Sequence, residues 1–142
     1  MKNMKRSDVV WSVILTAVPL LALLVGIIPG SIQIYDTQNQ QMNYYCLLSP
    51  IPGNAMGSTT PLLLIVPLYA AILGFCYLKS QKINTLKAVL IVSILAAVIA
   101  WMPVLLESHM LFWPYGAVPI ILTVQCVLAF IRFKIEDANY EY

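Results

Sequence analysis

Four long runs of uncharged, mostly apolar residues decide what this chain can fold into: Val9–Gly30, Pro61–Leu78, Ala88–Leu106 and Leu111–Ile131. Each holds about 18–22 residues, enough for a helix rising about 1.5 Å per residue to cross a hydrocarbon core of roughly 30 Å. None contains Asp, Glu, Lys, Arg or His. In lipid the backbone has no water to bond, so a helix, which satisfies its own polar groups, is the natural spanning form. Barrel strands are about 10 residues long and alternate in polarity; these runs do neither. The sequence therefore predicts one all-α integral membrane domain over residues 1–142. It is a four-transmembrane-helix bundle with an extracytoplasmic loop of about 30 residues between helices 1 and 2.

Composition agrees. The chain is 61% hydrophobic and 10% charged, whereas soluble domains carry about 25% charged residues. So few polar groups cannot cover a water-facing surface, which excludes a soluble enzyme, a disordered tail and a nucleic-acid binder.

The charges are one-sided. The eight basic residues are Lys2, Lys5 and Arg6, then Lys79, Lys82 and Lys87, then Arg132 and Lys134. Four spans put all three groups on one side, and residues 31–60 and 107–110 carry none. The positive-inside rule then places both termini in the cytoplasm. This sidedness fits a plasma membrane, and the compactness fits a bacterial one. The first span follows a basic start but is longer than the usual apolar region of a signal peptide. No small-residue cleavage site follows it at Ile28-Pro29-Gly30, so a retained helix is expected.

Aromatic residues flank the spans. Trp11 and Tyr77 lie near the basic ends; Trp101, Phe112, Trp113 and Tyr115 lie near the others. They read as headgroup-level belts. In the long loop, Ser31–Thr37 alternates apolar and polar, Met42–Leu48 is β-prone, and Gln38–Gln41 suits a turn between them. The pattern predicts a small β-hairpin, followed by an irregular stretch over Ser49–Thr60. Small residues at four-residue spacing, Ala22 with Gly26, Ala70 with Gly74 and Ala96 with Ala100, favour close helix packing.

Candidate functional residues are few. Thr16, Ser93 and Gln125 all fall three to four residues to the basic side of their span midpoints, which predicts an intramembrane polar layer at one depth. A lipid-facing amide is costly, so Gln125 should point inward to a partner. Each span also carries a proline: Pro19, Pro67, Pro103 and Pro119. A proline removes one N–H and frees the carbonyl four residues earlier. Bent outer halves at Pro67, Pro103 and Pro119, with Tyr69, Trp101 and Trp113, define a candidate outer cleft. With no basic residue on that side, such a cleft suits an apolar, neutral or cationic small ligand.

Catalysis has little to stand on. No ionisable residue lies in a span, which argues against proton-coupled transport. Glu107, His109, Asp36 and Cys46 are scattered without metal-ligand spacing. Three cysteines give no disulfide framework. No catalytic residue, cofactor or metal is expected. The function expected is a non-enzymatic accessory or assembly subunit that partners the lipid bilayer and another membrane protein or a second copy. The alternative is a carrier, pore or binding protein for a small molecule or lipid.

Overall fold

The computed structural model describes residues 4–29, 32–36, 38–46, 48, 54–106, 111–112 and 117–140. Among the described residues the elements run α1 (Arg6–Ile27), β1 (Ile32–Asp36), β2 (Gln41–Tyr45), α2 (Asn54–Ser80), α3 (Ile83–Leu106), β3 (Leu111–Phe112) and α4 (Ala117–Tyr140). All four helices are long and apolar enough to cross a membrane. Each packs on its neighbour in sequence, and α4 closes the ring on α1. The bundle is therefore cyclic, with the described basic residues gathered at one end and the strands at the other.

The bounds differ from the sequence expectation in all four helices: α1 is shifted to Arg6–Ile27, α3 starts earlier at Ile83, and α2 and α4 differ most. The second helix starts at Asn54, not Pro61, and runs through that proline, which removes only one donor. The fourth starts at Ala117 instead of Leu111, because Leu111 and Phe112 are taken by a strand. It also runs nine residues past Ile131, to Tyr140. The physical cause is at Arg132, whose partner Glu136 lies one turn on (see below).

The loop hairpin is present. β1 and β2 pair antiparallel from Ile32 opposite Tyr45 to Asp36 opposite Gln41, and Gln40 turns the chain with φ 52°. β3 adds to the other edge of β1, with Gln33 opposite Phe112, giving the order β2–β1–β3. That third strand ties the segment after α1 to the segment before α4. Tyr45 packs on the bundle core, so the sheet sits against the helix ends.

The core has two levels. At the sheet end Ala22, Leu63, Ala96, Ala100, Val118 and Leu122 bring side chains from all four helices together. At the basic end the cluster is Leu15, Tyr77, Leu86, Val89 and Ala129. All six residues of the three small-residue pairs are buried, so the bundle uses this spacing internally. Two helices approach closely at Gly74. A Cβ there would lie 2.9 Å from Thr16 Oγ1 and 3.1 Å from both the Leu15 carbonyl oxygen and the Thr16 nitrogen. Two of those neighbours are backbone and cannot step aside. Gly74→Leu is expected to separate α1 from α2 and to cost about 1–3 kcal/mol. Ile91→Leu on the lipid-facing surface, 58% exposed, should be near neutral. Denaturant unfolding in mixed micelles measures both.

Candidate functional site

The buried polar layer forms around a proline. Pro19 has no N–H to give the Leu15 carbonyl, which lies four residues earlier in α1. Gln125, fully buried on α4, supplies the missing donor: its Nε2 donates to the Leu15 oxygen at 3.1 Å. The same Nε2 lies 3.4 Å from Ser93 Oγ on α3. Ser93, also fully buried, donates to the Val89 carbonyl at 2.7 Å. Three helices thus meet in one network. Gln125 Oε1 is buried with no hydrogen-bond partner among the described residues.

Ser93 and Gln125 are brought together as placed by their depth. Thr16 is at the same level but takes a different role. Its Oγ1 donates to the Ser12 carbonyl at 2.9 Å and lies at the α1–α2 contact over Gly74. The part of α1 that reaches Gln125 is the backbone of Leu15. Only the pairing of a proline with the carbonyl four residues before it could have revealed this in the sequence.

Of the candidate outer cleft, the side chains of Pro67, Tyr69, Trp101 and Pro119 are described, and Thr123 links Trp101 to Pro119. Pro67 and Pro119 are buried. Pro119 sits in the first turn of α4, where the missing N–H disturbs no helical bond. Tyr69 is 52% exposed on the outer surface of α2. Trp101 is half-buried and its Nε1 donates at 2.8 Å to Thr123 Oγ1, which in turn donates to the Pro119 carbonyl at 2.8 Å. The Pro103 side chain and Trp113 lie outside the described residues, as do Glu107 and His109.

A second polar cluster lies at the basic end. Arg132 is 3% exposed. Its Nη2 donates to Asp8 Oδ1 at 2.9 Å and to Glu136 Oε1, and its Nε donates to the Tyr77 hydroxyl at 3.1 Å. Asp8 is itself fixed. Its Oδ2 accepts the Lys5 backbone N–H at 3.1 Å and so caps α1. One turn on, Ser12 Oγ donates to the Asp8 carbonyl at 2.7 Å, and Gln81 Nε2 donates to Ser12 at 3.0 Å. Gln81 ends α2 with φ 48°, a conformation that favours glycine; the side chain earns its place through the bond to Ser12. Tyr77 is therefore an interior residue, not part of a headgroup belt. Lysines over phenylalanine rings stand at this end instead: Lys79 over Phe75 at 4.9 Å and Lys134 over Phe130 at 5.6 Å. The spacing of Arg132 and Glu136, one helical turn, was a legible signal for half of the cluster. Nothing local links either to Asp8.

Both clusters act to hold helices together. Gln125→Leu should cost about 1–2 kcal/mol, because it strands a carbonyl in a dry interior. Pro19→Ala restores the helical donor to Leu15. In that background the cost of Gln125→Leu should fall by about 1 kcal/mol, and a double-mutant cycle on micellar unfolding reads the coupling. Arg132→Met leaves Asp8 and Glu136 without their cation and should cost about 3–5 kcal/mol. Asp8→Asn, which keeps Glu136 on the guanidinium, should cost less by the same measurement. No family model, curated protein or solved structure matches the chain, so its role is read from this geometry.

Proposed function

We propose that this small multi-pass membrane protein is a non-enzymatic accessory or assembly subunit. It sits in a plasma membrane with its basic end and both termini in the cytoplasm. One observation carries the proposal. The polar side chains inside the bundle, Ser93, Gln125 and Arg132, are engaged in bonds from helix to helix. Groups used that way hold a shape. The core at the sheet end supports the same role, because side chains from all four helices pack together there. Meanwhile every helix presents large apolar side chains outward, among them Leu24, Ile65, Ile91 and Val127, which suit lipid and the helices of a partner.

A carrier or pore for an apolar, neutral or cationic small molecule draws on a different observation, the buried acceptor Gln125 Oε1. Affinity purification from native membranes separates the two. A membrane protein at fixed stoichiometry is the expected result, and a retained solute without any protein partner would favour the carrier. Orientation is tested by a membrane-impermeant thiol reagent on intact cells. It should label Cys46 beside β2 and spare a Ser80→Cys variant made without the native cysteines; the reverse pattern would invert the topology.

A further inference from the structure

The side of the bundle where α1 meets α2 carries a groove. Its lower part, about 250 Å³, is lined by Val13, Thr16, Ala17 and Leu20 of α1 and by Phe75 and Leu78 of α2. A second part, about 390 Å³, lies along α1 alone as far as Leu24 and shares Ala17 and Leu20 with the first. From Val13 to Leu24 the rise is about 16 Å, close to the thickness of one hydrocarbon leaflet. The floor is small because Ala17 stands between larger neighbours. The walls are apolar, so the groove offers nothing to a polar solute.

The basic end of this groove is charged. Lys79 follows Leu78 directly, and its Nζ lies 4.9 Å from the centre of the Phe75 ring that forms one wall. Arg6 lies seven residues before Val13, two helical turns and about 10 Å lower on the same face of α1. Both side chains are exposed. Lys79 thus sets one cation at the foot of the apolar channel, and Arg6 sets a second below it. The acids nearby are committed: Asp8 and Glu136 are on Arg132.

We propose that the groove between α1 and α2 is a binding site for one anionic phospholipid, its acyl chain against Ala17 and its phosphate between Arg6 and Lys79. An apolar channel of leaflet length takes a lipid chain, and the charge pair selects the headgroup. This goes beyond a role as an assembly subunit and does not require it.

Native mass spectrometry of the full chain tests it. The protein is released from micelles holding equal amounts of dioleoyl phosphatidylglycerol and dioleoyl phosphatidylcholine. One retained phosphatidylglycerol is expected, preferred about 30-fold, the effect of two basic side chains at a membrane surface. The double variant Arg6→Gln, Lys79→Gln should lose that preference. Ala17→Trp, at an exposed position, should fill the channel and lose the bound lipid with both charges intact. Should one variant fail to fold, the other decides. Equal retention of both lipids overturns the proposal. So does displacement of the adduct by soluble glycerol phosphate with no effect of Ala17→Trp, since the site would then be a free phosphate site. A disulfide-linked dimer through Leu20→Cys, with no lipid retained by the unmodified chain, overturns it in favour of a second copy in the groove.

Discussion

A carbonyl oxygen inside a membrane bundle has to be given a proton donor, and at Leu15 the chain has removed the usual one. Pro19 breaks the helical ladder of α1 in its middle, where water is excluded and an unpaired carbonyl is costly. The vacancy in the ladder is filled from a helix 110 residues away, by Gln125. The arrangement fixes more than one bond. Gln125 must face inward at the level of Leu15, which sets the rotation and height of α4. Ser93 meets the same amide, which sets α3. Gly74 lies against the same carbonyl, which sets how near α2 approaches. One backbone group thus registers all four helices.

The ion cluster at the basic end does the same for the other half of the bundle. Hydrophobic contact between lipid-immersed helices is weakly directional, since a leucine gains little by leaving lipid for another leucine. Polar contacts choose among the many packings that small residues allow. Arg132 reads Asp8, Glu136 and Tyr77 at once, and a rotated α4 would keep Glu136 but lose Asp8 and Tyr77. A buried ion pair adds little to stability against an apolar alternative, yet breaking one partner is costly. Its contribution here is specificity of register.

Much of the fold was legible in the chain because lipid imposes a simple rule on sequence. Length and the absence of charge located the four helices, and alternation around Gln38–Gln41 located the hairpin. What escaped was non-local. Two residues, Leu111 and Phe112, form a strand only because β1 offers an edge, and so short a run has no period to detect. The inner extension of α4 depends on Asp8, Tyr77 and Glu136 converging on Arg132 from three helices. Counting Arg132 as one more inside charge concealed that it is buried. The depth argument joined Ser93 to Gln125, but it looked for side chains alone and so chose Thr16 over the Leu15 backbone beside it.

The tie between α1 and α4 has a consequence for how the chain is made. The strand pairing of β1 with β3, the bond from Gln125 to Leu15 and the ion pair of Arg132 with Asp8 all join the two ends of the topology. During synthesis α1 emerges well before α4. Until then its broken ladder lacks a donor, and its Asp8 carboxylate, held at the Lys5 N–H, lacks its cation. Contacts of such long sequence separation form late, after the intervening loops have closed. Without α4 the other three helices leave an open seam, polar at mid-depth and acidic at the basic end. Whatever handles the chain at the translocon meets that seam, and it closes only when the last helix arrives.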